Sequence, residues 1–158
     1  MSRKTNILIY SAFVLAIIVT LCFIFGNSMK GPVESKEQSD EVVETVRPII
    51  DPNEKMTDSE ISLLVRKSGH FIEYMILGIE CAGLAYYIYK KINLTGAACS
   101  AFFCLLVADV DEFIQSFTDR GSSVSDVLLD LAGAVVGMTI GFLLAYVLSR
   151  LINRKKAE

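Results

Sequence analysis

Apolar residues in this chain fall into long blocks, and the stretches between the blocks carry most of the charge. The first block, Ile7 to Gly26, holds about 20 residues with no charged side chain, enough for an α-helix to cross a hydrocarbon core about 30 Å thick. Three more spans are predicted over about 69–89, 93–112 and 127–148. Short connections, Lys90-Lys91 and then Thr118 to Ser125, make these three successive antiparallel hairpins. Lipid offers the backbone no hydrogen-bond partner, so only helices or closed barrels span it, and these lengths specify helices. The expected fold is all-α, an integral membrane four-helix bundle with a polar outer loop (27–65) between helices 1 and 2. Residues 1–158 are read as a single membrane domain.

The basic start Arg3-Lys4 before the first block is shared with secretory signal peptides. The apolar run exceeds the roughly 7–15 residues of a signal core and ends in no A-x-A site, so it is read as an uncleaved helix. In the outer loop, Val42, Val43 and Val46 follow Ser39 and Asp40 at helical spacing. They predict a short amphipathic helix lying at the surface and stopped by Pro48. Asp51-Pro52-Asn53 reads as a turn. Thr57, Asp58 or Ser59 then caps a helix that starts near Glu60 and runs straight into the second span. In the last span Gly133, Gly137 and Gly141 form a ridge of small residues at a spacing of four. Such a ridge suits close helix packing within the monomer, with an oligomer face as the alternative.

Composition agrees with the blocks: 53% of the 158 residues are hydrophobic, above the roughly 45–50% of soluble domains. A formal net charge of −3, with no basic stripe or finger spacing, gives no reason to expect a nucleic-acid partner. Cys22, Cys81, Cys99 and Cys104 all lie in apolar blocks without CxxC spacing and are read as packing residues, with no zinc site among them. Arg3, Lys4, Lys90, Lys91, Arg150, Arg154, Lys155 and Lys156 fall on one side of a chain that crosses four times. The positive-inside rule makes that side cytoplasmic, with both termini inside. Arg66 and Lys67, beside the second span, run against this bias.

Charged side chains within spans cost about 2.5–3.5 kcal/mol each on insertion scales, yet this chain has several. His70 and Glu73 open the second span, Asp111, Glu112 and Gln115 close the third, and Asp126 and Asp130 open the fourth. Antiparallel hairpins bring all three groups to the same, outer end. Lys67, His70, Glu73 and Tyr74 share a face by i, i+3 and i, i+4 spacing, as do Asp111 with Gln115 and Asp126 with Asp130. Arg120 enters from the last hairpin loop.

Three readings of this constellation stay open. It is a structural network, in which Arg120, Lys67 and His70 neutralise carboxylates. Or it binds a divalent metal through His70 and Glu73 with one or more of Asp111, Glu112, Asp126 and Asp130. Or it does phosphate chemistry, with His70, Glu73, Asp111 or Glu112 as catalytic groups. In that case Lys67, His70, Arg120, Gln115 and Tyr74 hold the anion. Glu80, deeper in the second span, is expected to meet a polar partner across the bundle or to be protonated. Asp109, one turn below Glu112, is expected to extend the network.

The segment Arg66-Lys67-Ser68-Gly69-His70-Phe71-Ile72-Glu73-Tyr74, with Leu77-Gly78, resembles the K-x-x-H-F-x-E-Y-x-x-L-G signature of VanZ-like membrane proteins. Asp111-Glu112-Phe113-Ile114-Gln115 with Phe117 and Arg120 resembles that family's D-E-x-x-Q-x-F…R segment. Asp126-Val127 with Asp130, Gly133 and Gly137 resembles its closing D-x-x-x-N/D-x-x-G-x-x-x-G element, with Asp130 where Asn is common. Phe25-Gly26-Asn27-Ser28 fits more loosely. The resemblance implies a multi-pass protein of the bacterial cell membrane and envelope, and its namesake is associated with resistance to the glycopeptide teicoplanin. It supplies no established reaction. The expected function is binding of a membrane lipid or lipid-linked cell-wall precursor in an outer-facing polar pocket. The alternative is a hydrolase or transferase acting on a phospholipid or polyprenyl phosphate.

Overall fold

The computed structural model describes residues 3–53, 55–118 and 123–155. Five helices make up the described chain: α1 (Arg3–Ser28), α2 (Pro32–Ile50), α3 (Asp58–Tyr89), α4 (Leu94–Ser116) and α5 (Val124–Lys155). No strand occurs among the described residues, so the architecture is all-α as expected. By length and composition α1, α3 and α5 are each long and apolar enough to cross a membrane.

Hydrophobic side chains point outward along these helices. Leu8, Leu15, Val19 and Phe23 of α1 are 60–70% exposed, and Leu143 of α5 is 61% exposed. Such stripes suit contact with acyl chains rather than water. The inner core is correspondingly thin. Ile24, Tyr74, Leu77, Cys81, Cys104, Val107, Ala108 and Ala134 form one cluster, and Ala82, Ala85, Met138 and Phe142 a second. Cys81 and Cys104 are buried in the first cluster, whereas Cys22 and Cys99 are exposed.

The α3–α5 pair is the spine, and α1, α2 and α4 all pack on α3. Its closeness comes from the glycine ridge. A Cβ at Gly133, Gly137 or Gly141 would stand 2.4, 1.9 or 2.7 Å from the carbonyl oxygens of Phe71, Met75 and Ile79 of α3. Gly78 does the same from the other side, 2.2 Å from the Ala134 carbonyl. Backbones this near exclude any side chain and maximise van der Waals contact, which replaces the hydrophobic drive that lipid removes.

The segment between α1 and α3 differs in detail from its expected form. The helix there is longer, Pro32 to Ile50, with Gly31 at the N-cap and Pro32 in the first turn, where its missing N–H costs nothing. Pro48 does not stop it. Proline sits in the last turn, where one lost bond is cheap, and the helix closes when Asp51 N–H donates to the Arg47 carbonyl at 2.8 Å. The buried stripe is Ser35, Ser39 and Val43, whereas Val42 is 45% exposed. Serines at spacing four let α2 lie close on α3, a contact that hydrophobicity alone does not reveal. Arg47 of α2 is also ion-paired to Asp58 at the start of α3.

The next helix begins as its sequence predicts. Thr57 Oγ1 accepts from Glu60 N–H at 3.3 Å, and Glu60 Oε2 accepts from Thr57 N–H at 2.8 Å, a complete capping box. Ahead of it, buried Asp51 accepts from Lys55 N–H at 2.9 Å and Met56 N–H at 2.6 Å. The Met56 and Lys55 amides hold the Asp51 carboxyl below its ordinary value. A depressed carboxylate contributes order that is full above its unfolded pKa and is lost as pH falls through the folded one. The Lys55 and Met56 amides are therefore expected to lose protection, relative to intrinsic exchange rates, as acid titrates Asp51. Asp51→Ala should bring the same loss at neutral pH, together with faster tryptic cleavage after Lys55. Unchanged exchange and cleavage would show that the turn is held by other contacts.

Candidate functional site

Each helix that reaches the polar end brings a short set of polar residues there, spaced so that they face inward. From α1 come Asn27 and Ser28 in its last turn, and from α3 come Arg66, Lys67, His70, Glu73 and Tyr74 over two turns. The last turns of α4 supply Asp111, Glu112 and Gln115, and the first turns of α5 supply Asp126 and Asp130.

Asp111 and Asp130 are fully buried, and Glu112 and Gln115 are 5% exposed. His70 Nδ1 lies 3.6 Å from Asp111 Oδ2 and 3.8 Å from Asp130 Oδ1, with the imidazole 19% exposed. Ser28 donates its hydroxyl to Asp111 Oδ1, tying α1 to α4. Gln115 Nε2 donates to Asp111 Oδ2 at 3.2 Å and reaches Ser28 Oγ at 3.4 Å. Asp111 is thus oriented by a hydroxyl and an amide, as a carboxylate taken out of water requires. Asp130 differs: among the described residues neither of its oxygens accepts a hydrogen bond.

Around this centre the other candidates take separate partners. Glu73 Oε1 accepts from Asn27 Nδ2 at 2.9 Å, and Lys30 Nζ in turn donates to Asn27 Oδ1 at 2.9 Å. Glu112 Oε2 accepts from Ser123 N–H at 2.8 Å. Lys67 Nζ pairs with Asp126 Oδ1 at 2.5 Å. Tyr74 is fully buried, and its hydroxyl finds no hydrogen-bond partner among the described residues. Three ligand-type atoms lie within 4.8 Å of one another, one each from His70, Asp111 and Asp130. Glu73, Glu112 and Asp126, also expected as metal candidates, lie outside that group among the described residues. Arg120, expected to hold phosphate, lies outside the described residues.

A cavity of about 140 Å³ opens beside the centre. Lys67, His70, Glu112, Gln115 and Asp126 line it together with Arg66, Leu63 and Leu129. It far exceeds the about 15 Å³ that one water needs. The Arg66 Nε–H is buried and has no hydrogen-bond partner among the described residues. A buried unsatisfied donor on a permanent cation costs about 1–3 kcal/mol or more.

Two features depart from the expected site. Asp109 is exposed and does not extend the network. It stands two residues from buried Asp111, about 200° round the helix, so it faces outward. Ser28, Asn27 and Arg66 play larger parts than their sequence context gave them. Ser28 carried a weak signal, a polar residue ending an otherwise apolar span. Deeper in the fold, Glu80 meets a partner across the helices: Thr20 Oγ1 donates to its Oε1 at 3.0 Å.

Comparisons with known proteins agree with the signature residues. Neither a search of curated proteins nor one of solved structures finds a match. The family model described as VanZ/LLP1 matches residues 13–151, a range that includes every polar residue gathered at this end. With apolar helices of membrane-crossing length and a match over nearly its whole length, the chain is a membrane protein that belongs to the VanZ/LLP1 family.

Proposed function

We propose that this protein binds the phosphate of an anionic membrane lipid or lipid-linked cell-wall precursor in the cavity bordered by Arg66, Lys67 and His70. The observation that carries the reading is that three basic side chains, Arg66, Lys67 and His70, line one cavity at the polar end. Guanidinium groups favour phosphate oxygens through charge-assisted hydrogen bonds. Lys67 already faces a carboxylate, so an incoming phosphate would compete with Asp126 for it, and binding would loosen that pair. The cavity takes a headgroup and leaves the acyl or polyprenyl chain to run along the apolar exterior.

The reading includes a setting. The chain crosses the bacterial cell membrane four times through α1, α3, α4 and α5, with α2 outside and both termini cytoplasmic. The Lys and Arg residues of the tails and of Lys90-Lys91 support that orientation. The cavity then faces outward, where glycopeptide antibiotics meet cell-wall precursors, and occupation of the precursor phosphate would alter access of a teicoplanin-type drug.

The test is a lipid inventory of gently purified protein by native mass spectrometry. Wild type is expected to retain one anionic lipid, and Arg66→Ala to lose it by about tenfold, the effect of one charge-assisted hydrogen bond. Lys55→Ala serves as the control. Equal retention by wild type and Arg66→Ala would refute the pocket. Phosphate release from a labelled polyprenyl phosphate or phospholipid, abolished by His70→Ala, would instead make the site that of a hydrolase or transferase.

A further inference from the structure

We infer that His70, Asp111 and Asp130 form a binding site for a divalent cation of the zinc type, with one ligand from each of α3, α4 and α5. The distances argue first. At 3.6 and 3.8 Å, His70 Nδ1 is too far from either carboxylate oxygen for a hydrogen bond. Two ligands each about 2.1 Å from a tetrahedral zinc stand about 3.4 Å apart, close to the spacing seen here. Octahedral ligands at similar bond lengths stand nearer 3.0 Å apart, which fits magnesium less well.

Burial argues second. Asp130 is fully buried, and both its oxygens lack a hydrogen-bond partner among the described residues, although one points toward His70. Buried carboxylates are paired, hydrogen-bonded or bound to metal. A cation among the three ligand atoms, which all lie within 4.8 Å of one another, would give Asp130 the partner it lacks. The surroundings argue third. Asp111 is held by the Ser28 hydroxyl and the Gln115 amide, the outer support that orients a metal-binding carboxylate. One imidazole with two carboxylates is a donor set that suits zinc and, next, manganese.

Three protein ligands leave a fourth position open, as in zinc sites that take a water or an anion. His70 also borders the Arg66–Lys67 cavity, so the open position adjoins the place where an anion would bind. The cation site stands whether or not a lipid phosphate occupies that cavity, and the two are separable by experiment.

The experiment uses the full chain in detergent, stripped with a chelator and dialysed against Zn²⁺, Mn²⁺ or Mg²⁺, with bound metal counted by elemental analysis. One Zn²⁺ per chain is expected, with Mn²⁺ weaker and Mg²⁺ absent. Asp130→Asn and His70→Gln should each weaken Zn²⁺ binding at least tenfold, whereas Asp109→Asn, at an exposed position on the outer face of α4, should leave it unchanged. Co²⁺ in wild type should give visible absorption bands of four- or five-coordinate geometry, and His70→Gln should change them. This spectrum decides the matter if Asp130→Asn fails to fold. No metal retained by wild type with any of the three ions, or equal Zn²⁺ binding by wild type and both variants, would overturn the inference. Lipid retained after chelation would leave the phosphate pocket standing without the cation. Zn²⁺ bound where no lipid is retained would do the reverse.

Discussion

Replacing Gly137 with alanine is expected to abolish stable pairing of α3 and α5. The added Cβ would stand 1.9 Å from the Met75 carbonyl oxygen, with the Met75 carbonyl carbon and Cα next nearest at 2.7 and 2.9 Å. All three are backbone atoms, so no side-chain rotation relieves the clash, and the helices must separate along their length. Overpacking in a core costs about 1–3 kcal/mol and sometimes more, and a rigid backbone contact belongs at the upper end, about 3 kcal/mol. Helix propensity, worth up to about 1 kcal/mol in alanine's favour, is too small to reverse the sign. Unfolding in graded SDS should show a large loss for Gly137→Ala and a smaller one for Gly141→Ala, whose nearest contact is 2.7 Å. Gly26→Ala, with nothing within 4 Å, should be unchanged or slightly stabilised. Gly137→Ala at wild-type stability would mean that α3 and α5 do not touch there.

Asp111→Ala is expected to be nearly as damaging by another route. It leaves the Ser28 hydroxyl and the Gln115 amide without their shared acceptor and takes one carboxylate from His70. Leaving a buried donor without its acceptor costs about 1–3 kcal/mol, and two such donors lose theirs here, about 3 kcal/mol in all. The loss should concentrate where α1 meets α4, so amide exchange in the last turn of α1 should rise before that of α5. Asp111→Asn keeps an oxygen for Ser28 and should recover most of the stability. Equal destabilisation by Ala and Asn would assign the effect to charge rather than to the hydrogen bonds.

Much of this arrangement can be read from residues because the polar positions obey two strong constraints. Charge inside an apolar block tends to turn inward, with exposed Asp109 the exception, and antiparallel hairpins fix which ends meet. Those constraints alone predict that His70, Asp111 and Asp130 converge. They do not predict which pairs form, since His70, Glu73, Glu112 and Asp126 are equivalent in spacing and differ only in helix rotation by tens of degrees. Glu112 therefore turned to the Ser123 backbone, Asp126 to Lys67 and Glu73 to Asn27. The α2 helix was harder to read. Its buried stripe is mostly serine, so hydrophobic periodicity marks only Val43 of that stripe. Pro48 marked the right neighbourhood for an ending, because a proline is tolerated where only a last bond is lost.

The polar centre draws one residue, His70, Asp111 or Asp130, from each of three helices that leave the ribosome in turn, and this orders its assembly in time. His70 and Asp111 emerge before Asp130, and the carbonyl face of α3 at Phe71, Met75 and Ile79 has no glycine ridge against it until α5 arrives. Synthesis runs from the N-terminus, so Asp111 and Glu112 are made before the α5 residues that complete the centre. Docking of that last helix closes the spine and completes the polar centre in one event.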